Sequence, residues 1–391
     1  MHSDHFARLE QQLKLGAEFW RASPYRGEPL AWREHHPALV AALQALKDDE
    51  VETLGNDSAA LLGWLEARVP ALRGLRDTLQ IPPARTTLLA PDDPHRTRDV
   101  PGRKLAQIRA FLATVGVPQG PVLDWCAGKG HLGRLVCLHH PIAATSLEID
   151  PQLCRTGGEL AQRHRVPLHD FLNTDVLAPA TQARLAGHHA LALHACGELH
   201  RALVRGVIAT AAPALDLAPC CYHRGSAETH DPLNPIATLR LHRDDLRLAV
   251  SDSVTAAPRE IRERRRELAW RLAGQTWLTT LGRAQAGDPL PRPPKAWFRL
   301  EFADYLDRLS ASTGARRALP HCDELAREGW RREAELRRLA LPRLAFRRAL
   351  ELWLVLDLAL ALETHGYTVT IGEWCERRLT PRNLLLRARR K

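Results

Sequence analysis

The chain has 391 residues, of which 45% are hydrophobic and 26% charged, with a formal net charge of +10 and a pI near 9.5. This is the composition of a globular protein rather than a disordered or fibrous one, and the length calls for two folded units or one domain with insertions. No apolar run reaches the ~18 residues of a bilayer-spanning helix, and the N-terminus lacks the apolar core of a signal peptide, so no membrane partner is expected and a cytoplasmic location is.

Residues 1–98 read as an N-terminal helical region. Apolar positions recur at helical spacing in FARLEQQLKLGAEFW and PALVAALQALKDD. SAALLGWLEARV follows three N-cap residues, Asn56, Asp57 and Ser58. Pro82-Pro83 and APDDPHRTRDVPG mark a linker, after which GRKLAQIRAFLATV leads as a helix into a second domain, 99–391. Strands and helices then alternate. PVLDWCAG, ATSLEID, VPLHDFL, HHALALHACG and ALDLAPCCYH read as strands, with helices in HLGRLVCLHH, in PQLCRTGGELAQRH and from Leu199 to Ala211. Repeated βα units imply an α/β fold with a mostly parallel sheet, helices on both faces and ligands at the carboxyl ends of the strands.

A basic helical insertion, 258–348, interrupts the series. Arg259 to Arg348 holds 21 Lys and Arg against 12 Asp and Glu, most of the chain's excess charge. Such a segment either attracts phosphate chains or forms solvated helices with internal ion pairs, as RERRRE suggests. An apolar helix near Leu350 to Glu363 precedes YTVTIGEW and NLLLRAR, two strands close enough in sequence to form a C-terminal antiparallel hairpin. TPRN between them reads as a connection with a solvated Arg382, with substrate contact by Arg382 as the alternative. The eight cysteines show no regular framework and are expected as free thiols.

The string from Asp124 to Gly130 sits where the first strand turns into a helix. Glycine permits close backbone approach to a ligand, and the helix N-terminus offers free N–H groups to a carboxylate. Asp124, Cys126, Ala127, Gly128 and Gly130 are therefore candidate cofactor residues. Glu148, at the end of the second strand and 20 residues after Gly128, is placed to accept hydrogen bonds from ribose hydroxyls, with Asp150 as the neighbouring alternative. Asp175, past the third strand, is placed for an adenine amino group, with Asp170 as its competitor. With Gly133 the string also fits the bare Gly-x-Gly-x-x-Gly pattern of dinucleotide binding. A second constellation lies at later strand ends: His194-Ala195-Cys196-Gly197 and Pro219-Cys220-Cys221-Tyr222-His223.

DWCAGKGHLGR, HACGELH, PCCYH and TPRNLLL, in that order, resemble the methyltransferase family that includes the eukaryotic tRNA 2′-O-methyltransferase of the acceptor stem and several methyltransferase-like proteins. The resemblance covers roughly residues 100 to 391. The zinc-binding finger of the tRNA enzyme has no counterpart in the N-terminal helices. The resemblance implies a Rossmann-like class I methyltransferase sheet with S-adenosylmethionine as cofactor. It places Asp124, Gly128, Gly130 and Glu148 on the cofactor side, and Cys196, Cys220, Cys221, Tyr222 and His223 on the acceptor side; Cys126, Ala127, Asp175 and His194 are further candidates on the cofactor side. Three chemistries fit these side chains: His223 as base, Cys220 or Cys196 adding to a pyrimidine, or Cys196, Cys220, Cys221 and His223 on zinc. Adjacent cysteines on a strand point to opposite faces, so no metal is expected. The expected activity is methyl transfer to RNA, tRNA or rRNA, with Trp270, Trp297 and Phe298 of the basic segment contacting bases. The alternatives are a protein or small-molecule acceptor, or a non-catalytic RNA assembly factor that binds the cofactor. The sequence carries no signal for an oligomer.

Overall fold

The computed structural model describes residues 2–225, 227–251, 257–285, 288–314 and 322–391. Among these, seven strands form one sheet: β1 (Val122–Trp125), β2 (Ala144–Glu148), β3 (His169–Asn173), β4 (His189–Cys196), β5 (Ala214–Cys220), β6 (Tyr367–Glu373) and β7 (Leu384–Arg390). Their spatial order is β3, β2, β1, β4, β5, β7, β6. The first five strands pair in parallel, whereas β7 runs antiparallel to both β5 and β6. The sheet is thus the mostly parallel one expected, closed by the C-terminal hairpin. β1 and β5 are buried along their whole length and β4 along most of it, because helices cover both of their faces.

The chain moves outward from β1 to β3, then returns to β4 on the other side of β1. This reversal makes a crevice above the carboxyl ends of β1 and β4, the general ligand site of open α/β sheets. One face is covered by the helices Gly102–Val115 and His131–His139, whose Ile108, Phe111, Leu132 and Leu135 pack on Val122, Leu191 and Leu385. The other carries the helices Glu198–Thr210 and Arg347–Thr364. The last is the apolar helix expected near Leu350, and Asp357 within it is fully buried. Its carboxylate accepts the N–H groups of Leu233 and Asn234, so this charge is hydrogen-bonded where it is desolvated.

The chain divides into two compact units, one of residues 1–14, 77–255 and 347–391 and the other of 15–76 and 256–346. The N-terminal region 1–98 is therefore divided between them. Helix His2–Leu15 packs with the sheet unit because Phe6 meets Trp353 at 5.4 Å between ring centroids. Glu10 accepts the Thr238 N–H and the Trp353 indole N–H, at 3.0 and 3.1 Å. Downstream, Pro83 bridges to Glu373 beside β6.

The second unit is helical. Asp57 caps the helix Ser58–Glu66 by accepting from Ala59 and Ala60, as the string Asn56-Asp57-Ser58 suggests. In the basic segment, helix Pro258–Thr280 packs along Cys322–Ala345. Gly329 permits the close approach, since a Cβ there would lie 2.4 Å from the Ala269 carbonyl. Much of the segment's charge is neutralised internally. Arg259 pairs with Glu263, Arg264 with Glu260, Arg331 with Glu328, and Arg265 and Arg337 with the buried Glu333. The expectation of base contacts needs correction here. Trp270 and Phe298 are buried in a cluster with Tyr305, and Trp297 packs against it. Aromatics that supply the apolar core of this unit have no free face for a base.

Candidate functional site

The loop after β1 is held from below. Asp124 is 2% exposed, and its carboxylate accepts the Gly133 N–H at 3.0 Å and the Ser146 hydroxyl at 3.2 Å. Ser146 in turn lies 2.9 Å from His169 Nε2. Burial raises the Asp124 carboxyl to about 6, against the opposing pull of these two hydrogen bonds. Asp124 thus ties the turn to the start of the helix His131–His139, and its side chain points into the fold.

The two glycines of the turn do different work. Gly128 has φ 60, and a Cβ there would meet nothing within 4 Å. It leaves the space above the backbone open. Gly130 has φ 62, and its Cβ would strike the Phe171 ring at 2.4 Å and His169 at 2.8 Å. It is needed for packing under the loop. Cys126 also has positive φ, at 58. Burial, with Glu148 and Asp124 near it, pushes its thiol up to about 12, so it stays neutral. The Ala127 N–H is spent on the Leu147 carbonyl.

Glu148 caps β2 beside this turn. One carboxylate oxygen accepts the Gly128 N–H at 2.9 Å and the other the Asp150 N–H at 3.0 Å. Each oxygen keeps a lone pair for a ribose hydroxyl. The two competing acids are placed otherwise. Asp150 caps the helix Pro151–Arg163, and Asp170 sits early in β3, away from the carboxyl end. Asp175 is exposed beyond that end, where it accepts the Leu177 N–H.

On the other side of β1, β4 ends in an irregularity. Its register against β5 shifts between Leu193 and Cys196, and His194 takes φ 71. Burial drives the His194 imidazole down to about 4, so it is neutral near pH 7. Beyond the bulge Cys196 faces Cys220, with the sulfurs 3.3 Å apart. Gly197 follows at φ 53, where a Cβ would overlap the Arg224 carbonyl at 1.7 Å. That carbonyl accepts the Glu198 N–H and so locks the HACG turn to the PCCYH turn.

The expectation that Cys220 and Cys221 point to opposite faces is overturned. Strand β5 stops at Cys220, and Cys221 has φ 45. Alternation holds only for extended backbone, and the left-handed residue turns its side chain back. The Cys196, Cys220 and Cys221 sulfurs all lie within 4.8 Å of one another. Hydrogen bonds from Cys196 and Cys220 hold the Cys221 thiol far below its usual range, and the same contacts push Cys220 up. Among the described residues there is no disulfide, in keeping with the expected free thiols.

Tyr222 is buried against His200, ring centroids 5.4 Å apart, and its hydroxyl has no hydrogen-bond partner among the described residues. His223 lines a pocket of about 310 Å³ with Arg201, Arg205 and Arg224. Arg382, expected as solvated, instead pairs with the buried Glu351 at 3.2 Å and donates to the Ala249 carbonyl. Lys104 escaped the sequence reading. It lies on the helix Gly102–Val115, and burial lowers its pKa although Asp124 and Cys220 act to raise it. Nothing in GRKLAQ marks it, because the helix is brought to the loop only by tertiary packing.

Residues 103–228 match the family model described as a methyltransferase domain. That stretch carries β1 to β5, the glycine turn, Glu148 and both cysteine strings. This stretch, less than half of the chain, is thus similar to a methyltransferase domain, for which the expected cofactor is S-adenosylmethionine. The open space above Gly128 and the Glu148 carboxylate beside it fit that group. No curated protein matches the chain. Among solved structures, a magnesium protoporphyrin IX methyltransferase from Synechocystis PCC 6803 with bound SAH is 11% identical over 73% of this chain and 80% of its own, TM-score 0.30. The 23S rRNA methyltransferase ErmE is 17% identical over 53% of this chain and 98% of its own, TM-score 0.24. The glycopeptide N-methyltransferase MtfA is 19% identical over 35% and 64%, TM-score 0.24.

Proposed function

We propose that this chain transfers the methyl group of S-adenosylmethionine to an RNA acceptor, tRNA or rRNA, as the motif resemblance to the tRNA 2′-O-methyltransferase family suggests. Gly128, Gly130 and Glu148 hold the cofactor in this reading, with Asp124 securing the turn beneath them and Cys126, Ala127, Asp175 and His194 around it. The cofactor supplies an electrophilic methyl group on a sulfonium. Cys196, Cys220, Cys221, Tyr222 and His223 form the acceptor wall. His223 is the candidate base, since burial lowers its pKa and keeps the imidazole neutral and able to accept a proton.

The observation that carries the RNA reading is the arginine-lined pocket at His223. Arg201 and Arg205 share Glu198, whereas Arg224 is exposed and pairs with no acid among the described residues. A guanidinium free beside a candidate base suits a phosphate flanking the acceptor nucleotide. The test is transfer of labelled methyl into total RNA by wild type, Arg224→Ala and His223→Ala. The expected result is labelling by wild type, weaker labelling by the first variant and loss with the second. Label that enters protein or small molecules but no RNA would overturn the RNA reading. Cofactor and RNA binding with no labelled acceptor of any kind would instead indicate an assembly factor. The internal pairing of the 258–348 arginines and the burial of Trp270 favour the protein or small-molecule alternative, so the label must be followed in all three pools.

A further inference from the structure

We infer that Cys196, Cys220 and Cys221 form a zinc site of three thiolates with an open fourth position, at the carboxyl ends of β4 and β5. The inference goes beyond the RNA reading and does not depend on which acceptor is methylated.

The geometry carries it. Tetrahedral zinc with Zn–S bonds of about 2.3 Å places its sulfurs about 3.8 Å apart. Here the Cys196 and Cys220 sulfurs are 3.3 Å apart and no pair of the three exceeds 4.8 Å, so the required separation lies within the observed spread. Small rotations of the three side chains complete the triangle. Three ordinary core cysteines would not need to converge in this way. Convergence here depends on two costly backbone features: the shift of β4 register ahead of Cys196, with His194 at φ 71, and the left-handed Cys221 at φ 45. Strain of this kind, of order 1–3 kcal/mol per residue, persists where the surrounding structure holds a functional arrangement in place.

The chemistry of the set selects the metal class. Three sulfurs, with no carboxylate in the group among the described residues, are a soft site, which suits zinc rather than magnesium or calcium. Three protein ligands rather than four leave a position for water or an acceptor atom, the pattern of reactive rather than purely structural zinc. Cys196 and Cys221 are only partly buried, so the cluster is reachable from solvent. Around it, the Nδ1 atoms of His194 and His223 are buried and have no hydrogen-bond partner among the described residues.

The test uses the full chain, reduced, stripped with a chelator and reloaded with Zn²⁺ alone. Alkylation mapped by mass spectrometry should show Cys196, Cys220 and Cys221 protected by zinc, with the modification of Cys137 and Cys322 unchanged. Metal analysis should give about one zinc per chain, and Co²⁺ in its place should produce thiolate-to-cobalt absorption. Cys196→Ser and Cys221→Ser should lose both signals, with cofactor binding measured alongside to show that each variant folds. The alkylation pattern of the wild-type chain decides the matter even if the variants do not fold. Equal alkylation with and without zinc, or a Cys196–Cys220 disulfide recovered in place of bound metal, would overturn the inference.

Discussion

Glu148 carries two duties with one carboxylate: it accepts the Gly128 N–H and the Asp150 N–H, and it is the proposed acceptor for the ribose hydroxyls. Glu148→Ala should therefore both loosen the turn and remove a charged acceptor. A hydrogen bond to a charged group contributes about 1.5–3 kcal/mol, which is about 10- to 100-fold in affinity. Calorimetric titration with S-adenosylmethionine checks this, and an unchanged dissociation constant would remove Glu148 from the site. Gly130→Ala acts differently. Its Cβ collides with Phe171 and its φ is left-handed, so the variant should lose about 1–3 kcal/mol of stability by denaturant titration. The placement of Glu148, Gly128 and Gly130 at the ends of β1 and β2 was legible from their spacing, whereas the packing of Gly130 on Phe171 was not. Lys104 was not, since no local pattern distinguishes it from any helical lysine. The supposed opposition of Cys220 and Cys221 failed because a single residue left the extended conformation.

The hairpin β6–β7 is tied to the parallel strands by a buried charge cluster. Asp216 on β5 is fully buried and meets His189 of β4 at 2.7 Å, Arg387 at 2.8 Å and Arg389 of β7 at 2.7 Å. Removing the carboxylate leaves the buried His189 and two part-buried arginines without their acid, so Asp216→Ala should cost about 3–5 kcal/mol. Thermal or denaturant melts of the variant measure it, and a loss within ~0.5 kcal/mol, the range of ordinary surface substitutions, would show the cluster to be dispensable. The strands themselves were readable as apolar runs bounded by turns. The cluster was not, because Asp216 within ALDLAP looks like an isolated polar interruption until β4 and β7 are placed on either side of it.

The sheet unit as a body should be sensitive to acid. Burial lowers His131, His169, His194 and His200 to about 4, below the ordinary imidazole value near 6.5. The folded unit then binds fewer protons than the unfolded chain, so their contribution is fully present above about pH 6.5 and falls as pH drops toward 4. Each histidine removes up to about 1.4 kcal/mol per pH unit across that window. Asp124 runs the other way: its raised pKa favours the folded state below about 4 and is a cost above about 6. Four histidines outweigh one carboxyl, so denaturation midpoints should fall from about pH 7 to pH 5. A midpoint unchanged over that range would show these imidazoles to be solvated. The helical unit carries the basic segment, and its exposed Arg262, Arg292 and Lys295 form no ion pair among the described residues. If these charges grip RNA, affinity should fall with salt at a log–log slope of roughly −0.7 to −0.9 per phosphate neutralised. Filter binding across a salt series measures that slope, and a flat response would exclude phosphate contact.

By itself the sequence determined the alternation of strands and helices, the turn from Asp124 to Gly130, the acid at Glu148 and the closing hairpin. Each is written in residues close along the chain, where periodicity, glycine placement and turn chemistry act locally. Tertiary structure decided the rest. It divided residues 1–98 between two units, buried Trp270 and Phe298 in a core, paired Arg382 with Glu351, and gathered Cys196, Cys220 and Cys221 at two strand ends. These depend on which surfaces meet after folding and on backbone angles at His194 and Cys221, and neither is set by the spacing of residues along one segment.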